Sequence, residues 1–260
     1  SLTFVEYLSK FIKEIESGEK LYGTKKYELN TIKSFKSLYN FLKGGVTKKK
    51  GEIAIGFIPN LKFEDITIEF YDDLLVHLNN LQRKPNTIGK YIKHIKTIMR
   101  DAYDYGYHNN QIYLHKKFKK ISVKVHSIYL TQKELDRIYN LDLSHNERFE
   151  LYRDFFIIGC YTALRYSDFS RIAPKYIVEK EGRNYISMKT MKTKTLVEIP
   201  IKPLVYSILK KYNFTSPRKL NRDLMNLSLK KICKMAEINQ DVTFTEEIGG
   251  KFVDKTIKKY

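Results

Sequence analysis

The sequence predicts a mainly α-helical protein with a small antiparallel sheet, divided in two near residue 129. Three observations carry this reading. From residue 3 to about 105, apolar residues recur at spacings of three and four, the helical period. Between residues 176 and 200 the period drops to two, in short runs set apart by turn residues. Helical spacing then returns at 203–213 and 221–237.

Thr3 is placed to cap a first helix whose apolar positions are Val5, Leu8, Phe11, Ile12 and Ile15. A second helix is predicted over 25–43, with Leu29, Ile32, Phe35, Tyr39 and Leu42 inside. The loop that follows, 44–62, opens on Gly44-Gly45, carries Lys48-Lys49-Lys50-Gly51 and ends near Pro59-Asn60. A third helix starts near Thr67 and buries Tyr71, Leu74, Leu75, Leu78 and Leu81. The fourth starts at Pro85-Asn86-Thr87 and runs to about Tyr105-Gly106. These elements predict a helical domain over 1–115, followed by a basic linker over 116–127 and a second domain over 128–260.

In the second domain, Thr131-Gln-Lys-Glu134 is a capping box opening a helix with Leu135 and Ile138 inside. A helix over 148–162 leads to a turn at Arg165. Tyr176-Ile-Val, Tyr185-Ile-Ser-Met and Leu196-Val-Glu-Ile-Pro200 read as three antiparallel strands, the first turn being Glu181-Gly-Arg-Asn and the second rich in lysine. The segment closes on Val242-Thr-Phe and Ile248-Gly-Gly-Lys-Phe-Val, a hairpin around Gly249 and Gly250.

Lys and Arg outnumber Asp and Glu by 48 to 29, a net charge of +19. Such an excess points to a polyanionic partner, nucleic acid before a membrane surface, although a lysine-rich composition contributes to it. The fourth helix sharpens the point. Ile88, Ile92, Ile95, Met99 and Ala102 form one apolar face, and Lys90, Lys93, Thr97 and Arg100 follow the same spacing nearly opposite. The second helix repeats the arrangement with Lys33, Lys36, Asn40 and Lys43. One such stripe is an ordinary solvated face. Two stripes together with linker lysines such as Lys119 and Lys120 suit the backbone of double-stranded DNA. The two cysteines, Cys160 and Cys233, read as reduced, buried thiols. No run of 18 apolar residues and no signal-peptide pattern occurs, so a cytoplasmic protein with no membrane partner is expected.

The most informative stretch is 159–172, Gly-Cys-Tyr-Thr-Ala-Leu-Arg-Tyr-Ser-Asp-Phe-Ser-Arg-Ile. A small-residue turn delivers Arg165 out of the apolar run Phe155–Ile158, and Asp168 follows three residues later. By chemistry alone this is either an anion site or an Arg165–Asp168 ion pair closing the turn. The segment resembles the first arginine motif of the tyrosine recombinases, the phage-integrase family, Thr-Gly-x-Arg-x-Ser-Glu/Asp-Leu, with Ala163 where that family usually has Gly. Pro85-Asn-Thr-Ile-x-Lys-Tyr-Ile is similar to the helix of the family's SAM-like core-binding domain that lies against DNA. Lys192-Thr-Lys-Thr-Leu-Val-Glu-Ile-Pro resembles the family's lysine turn between the second and third strands.

The resemblance implies a SAM-like helical bundle joined to a truncated α+β tyrosine-recombinase catalytic domain. It implies site-specific DNA strand cleavage and rejoining through a 3′-phosphotyrosyl intermediate, without metal or other cofactor, at a recombination site shared with other protomers. Arg165 would hold the scissile phosphate, Lys192 would act as general acid and Asp168 would be an orienting, structural carboxylate. Lys189 and Lys194 compete with Lys192 or contact phosphate. DNA contacts are expected from Lys33, Lys36, Lys43, Asn86, Thr87, Lys90, Lys93, Thr97, Arg100, Lys119 and Lys120.

The family pattern continues with His/Lys-x-x-Arg, then His or Trp, then the nucleophilic tyrosine. This sequence has no tryptophan and its last histidine is His145. Of the tyrosines after the sheet, Tyr206 and Tyr212 come too early, and Tyr260 is terminal with nothing behind it to hold it. The nucleophile is therefore expected to be absent from this chain, which reads as an inactive fragment of an active recombinase. The alternative is a DNA-binding regulator or decoy that kept the fold without catalysis.

Overall fold

The computed structural model describes residues 2–44, 58, 60–216 and 221–260. Gly45, Lys48, Lys49, Lys50, Gly51 and Pro59 of the predicted loop lie outside the described residues. The chain forms two compact units, Ser1–His126 with Phe244–Lys255, and Ser127–Thr243 with Thr256–Tyr260. The first unit thus runs beyond 115 and takes in the middle of the closing hairpin, a different division from the one the sequence suggested. Each unit has its own core, drawn from Phe4 to Phe118 in the first and from Ile138 to Ile238 in the second. Among the described residues no helix is long and apolar enough to cross a membrane.

In the first unit, α1 (Phe4–Ser17) opens on a capping box between Thr3 and Glu6 and stops at Gly18, whose φ of 85° suits glycine. The next helix, α2 (Leu29–Lys43), starts later than its apolar spacing predicted. Tyr22 and Lys25 pair across a turn instead, and Leu29, expected inside, is exposed on the first helical turn. Ile32, Phe35, Leu38 and Leu42 do enter the core. Thr67 caps α3 (Ile68–Asn80), and proline at the first position starts α4 (Pro85–Asp104). The apolar face of α4 is as its spacing requires: Ile88, Ile92, Ile95, Met99 and Ala102 are all buried.

Helices α2 and α4 pack through polar pairs, Ser34 Oγ with His94 Nε2 at 2.7 Å and Ser37 Oγ with the Tyr91 hydroxyl at 3.1 Å. Burial of His94, helped by Lys93 and Lys90, pushes its pKa down to about 4. The folded state therefore holds the neutral ring while the unfolded chain takes a proton near the ordinary value of about 6.5. Stability is full above that value and falls as the pH drops towards 4, by up to about 3 kcal/mol. Thermal unfolding between pH 7 and 4 should show this loss, and His94→Gln should flatten it.

The basic stretch after α4 is a strap laid on that helix. A Cβ built on Gly89 would lie 1.8 Å from the Ile121 carbonyl oxygen, so the two backbones meet where only glycine fits. Phe118 is fully buried, the Lys96 ammonium donates to its carbonyl at 2.6 Å, and the Tyr71 hydroxyl donates to the Lys119 carbonyl at 3.1 Å. These contacts are why the first unit continues to His126.

In the second unit, the Thr131–Glu134 capping box opens α5 (Gln132–Tyr139), and α6 (Glu147–Thr162) is capped by Asn146. A one-turn helix, α7 (Tyr166–Phe169), follows. Strands β1 (Ile177–Lys180), β2 (Arg183–Lys189) and β3 (Leu196–Pro200) form an antiparallel sheet in that order, with Ile186 opposite Ile177 on one side and Ile199 on the other. The first turn is tighter than predicted. Glu181 and Gly182 alone make it, both at positive φ (51° and 72°), and Arg183 and Asn184 belong to β2. Helices α8 (Pro203–Lys211) and α9 (Arg222–Met235) complete the unit's core. A separate hairpin, β4 (Asp241–Ile248) and β5 (Lys251–Lys258), turns at Gly249-Gly250 as the sequence indicates.

Buried Asp154 ties α6 to α8, accepting from Arg153 at 2.8 Å, Lys211 at 2.9 Å and the Tyr212 hydroxyl at 2.8 Å. Cys233 is buried as expected. Cys160 lies exposed on α6, and both thiols are free.

Candidate DNA-phosphate site

The arginine turn is built by α6 ending abruptly. Ala163 adopts a left-handed backbone, φ 55°, at the position where a glycine would be unstrained. Leu164 is buried and anchors the turn, and α7 folds back onto α6. A Cβ on Gly159 would lie 2.9 Å from the Phe169 ring, so glycine there permits the close approach. Arg165 caps the start of α7 and is exposed.

Among the described residues Arg165 makes no side-chain hydrogen bond or ion pair, so the Arg165–Asp168 pair that chemistry allowed is not formed. Asp168 is fully buried and faces elsewhere. Its Oδ1 accepts from the Met191 backbone N–H at 2.7 Å and lies 3.5 Å from Arg171 Nη2. Its Oδ2 is buried with no hydrogen-bond partner among the described residues. The carboxylate thus joins the arginine turn to the lysine-rich turn between β2 and β3, which are distant in sequence.

An open cleft of about 560 Å³ lies along this junction, lined by Arg165, Asp168, Thr190, Thr193, Thr195 and Glu198 among others. The turn is shaped by its own hydrogen bonds: Thr190 N–H to the Thr195 carbonyl at 2.9 Å, Lys194 N–H to the Thr190 carbonyl at 3.1 Å, and Thr190 to Thr193 through their hydroxyls at 2.8 Å. Lys192 sits at the exposed apex, between threonines that line the cleft. Lys189 and Lys194 are exposed on either side, the latter at a φ of 57°. The Glu198 carboxylate is taken up by the Lys180 ammonium at 2.6 and 2.8 Å, which holds its pKa below the usual carboxylate value. The cleft therefore offers an anion a guanidinium that is unpaired among the described residues, while Glu198 is matched by Lys180 and Asp168 is turned into the junction.

None of the three tyrosines after the sheet lines this cleft. The hydroxyl of half-buried Tyr212 donates to Asp154, and its partial burial together with that carboxylate raises its pKa. The Tyr206 ring packs against Phe214 at 5.4 Å. Tyr260, expected to lack support, is partly buried against the second core.

In the first unit, Lys33, Lys90, Lys93, Lys119 and Lys120 are exposed. Lys33 and Lys36 precede Ser34 and Ser37, and Lys90 and Lys93 precede Tyr91 and His94. The residues that join α2 to α4 therefore leave these lysines flanking the seam. Some predicted contacts have partners within the chain. Lys36 pairs with Glu16 at 2.6 Å, Lys43 reaches the Tyr39 hydroxyl at 3.1 Å, and Arg100 lies 3.9 Å from Asp104. Such exposed pairs are weak and exchange readily for a phosphate.

Asn86 is a firmer correction as a DNA contact. Its amide donates to the Val123 carbonyl at 2.9 Å and accepts from the Val123 N–H at 3.0 Å, so it clamps the strap. Thr97 likewise donates back to the Lys93 carbonyl at 2.9 Å, while Thr87 is half-buried. Sequence reasoning missed the cleft threonines and Arg171. The alternation Thr190-Met-Lys-Thr-Lys-Thr195 was the available signal for the first; nothing local singled out Arg171.

A basic helical unit and a mixed unit bearing an arginine turn and a lysine turn on one cleft define the class to which the comparisons point. The Phage integrase SAM-like domain model matches residues 3–121. The structure of a lambda integrase tetramer bound to a Holliday junction superposes with a TM-score of 0.67 at 16% identity, over 95% of this chain and 66% of that one. The XerH site-specific recombinase in its post-cleavage complex gives 0.57 at 16% identity over 91% and 80%, and the Tn1549 transposon integrase bound to circular intermediate DNA gives 0.56 at 13% over 86% and 69%. No curated protein matches the chain by sequence. Residues 3–121 are thus similar to a phage integrase SAM-like domain, and the chain has the fold of the tyrosine recombinases.

Proposed function

We propose that this chain is the DNA-gripping and phosphate-positioning part of a site-specific DNA recombinase. The first unit holds duplex DNA as a core-binding domain, and the second carries part of the catalytic site. The observation that carries the reading is the cleft. Among the described residues Arg165 lies unpaired on it, and the turn presenting Lys192 is fastened to the arginine turn through Asp168.

In this reading Arg165 neutralises a non-bridging oxygen of the scissile phosphate. A tyrosyl oxygen, supplied by residues other than those lining the cleft, forms a bond to phosphorus as the bond to the 5′-oxygen breaks. The Lys192 ammonium passes a proton to that departing oxygen and is left neutral. The product is a 3′-phosphotyrosyl ester, which keeps the bond energy for rejoining. Assembly with further protomers on a recombination site, as the lambda integrase structure's tetramer on a Holliday junction suggests, is part of the same proposal.

The exposed cations Lys33, Lys90, Lys93, Arg100, Lys119 and Lys120 together engage roughly six phosphates, which sets a log–log salt slope of about −5. Fluorescence anisotropy of labelled duplex DNA between 50 and 300 mM salt, on the order of the range over which such contacts are lost, reads this slope. Replacing Lys90 and Lys93 with Gln should make it shallower by nearly two. A slope near zero sinks the DNA-binding reading.

A further inference from the structure

We propose that Arg171 is a positioning residue for Lys192, fixing the base of the lysine turn so that its apex reaches the cleft. The proposal rests on the reading of Lys192 as the proton donor. Arg171 lies beyond the arginine motif, one helical turn past Asp168, and its guanidinium binds three different elements. Nη2 donates to the Lys189 carbonyl at the end of β2 and lies 3.5 Å from Asp168 Oδ1. Nη1 donates to the Tyr176 hydroxyl at 3.2 Å, and the guanidinium carbon sits 5.5 Å from the centre of that ring. Its Nε is buried without a hydrogen-bond partner among the described residues.

The pattern is specific to the turn's base. Asp168 holds the Met191 N–H and Arg171 holds the Lys189 carbonyl, so this one acid–base pair grips the backbone on both sides of Thr190. Beyond Met191 the grip ends, and Lys192 is exposed with no partner among the described residues. The result is a rigid root with a free tip. A planar guanidinium with donors in fixed directions is suited to bridging a carboxylate, a carbonyl and a phenol at once; an ammonium is not. Loss of the grip leaves the lysine on a looser turn, and a displacement of about 1 Å at a reacting group costs up to about 10²-fold in rate.

The test uses the full-length recombinase and two cleavage substrates that differ in one atom. The first has the natural 5′-oxygen at the scissile bond, and the second has sulfur there. A thiolate leaves without being protonated, so the second substrate bypasses the general acid. Arg171→Met should slow cleavage of the oxygen substrate by about 10- to 100-fold and cleave the sulfur substrate at close to the wild-type rate, with DNA affinity unchanged. Equal slowing on both substrates, or no slowing on either, overturns the proposal. Arg171→Lys, which keeps the charge, is read in the same way should the methionine variant not fold. Lys192→Ala is the control that separates the two claims. If it is not rescued by sulfur, the reading of Lys192 as proton donor fails; if it is rescued and Arg171→Met is not, only the role of Arg171 fails.

Discussion

On the proposed function, Arg165→Ala slows strand cleavage by the recombinase about 10²–10³-fold, the order of magnitude for one lost donor to a developing oxyanion, and leaves duplex binding near wild type. The structure explains why the two effects separate. Arg165 is exposed and makes no ion pair among the described residues, so truncating it strands no buried charge. Asp168 keeps both of its partners, Met191 and Arg171, and the turn keeps its anchor in buried Leu164. The variant's melting temperature should match the parent's. Gel assays of cleavage on a nicked recombination site, beside anisotropy for binding, check both halves. Wild-type cleavage would show that the cleft is not the phosphate site.

Gly89→Ala destabilises the first unit by about 2–3 kcal/mol, the usual cost of forcing atoms into an occupied space. The sign makes the experiment decisive. At an unobstructed helix position the same change stabilises by about 1 kcal/mol, because alanine is the better helix former. Here the added methyl would meet the Ile121 carbonyl oxygen at 1.8 Å, and that atom is backbone, which cannot swing aside as a side chain would. The strap must lift, and with it go the Asn86 clamp on Val123 and the Lys96 bond to Phe118. Urea titration gives the energy, and hydrogen exchange should show faster exchange at Val123. A variant as stable as the parent would mean that the strap is not seated on α4.

Much of this fold could be read in the sequence, for a definite reason. The wheel of α4, the cap at Thr3, the capping box at Thr131 and the Gly249-Gly250 hairpin depend on residues close together in the chain, and local spacing encodes them. Arg165 and the lysine turn could be picked out because their neighbours carry a motif. What stayed hidden depends on contacts with main-chain atoms far away in sequence. The stretch 116–126 looks like a solvated linker by its charge. Its seat on α4 is made by a glycine, an asparagine and a lysine that reach backbone groups, which carry no signature of their own. Asp168 is similar: from sequence its natural partner was Arg165, three residues away, and its actual partners include a backbone N–H at residue 191. Leu29 was misplaced because the apolar spacing suggests a helix from residue 25, whereas the Tyr22–Lys25 turn delays its start to Leu29, which is left exposed on the first turn.

The seating of the strap bears on what binding costs. A flexible basic tether must be ordered when it meets a polyanion, at about 1–2 kcal/mol of backbone conformational entropy for each residue fixed. Lys119 and Lys120 instead extend from a segment already held by Gly89, Asn86 and Lys96, on the same helix that carries Lys90 and Lys93. Their backbone loses its freedom once, during folding, and the charges keep a set spacing thereafter. Whatever duplex meets this face meets a preorganised array of cations, and its own curvature, more than the protein's, must do the adapting.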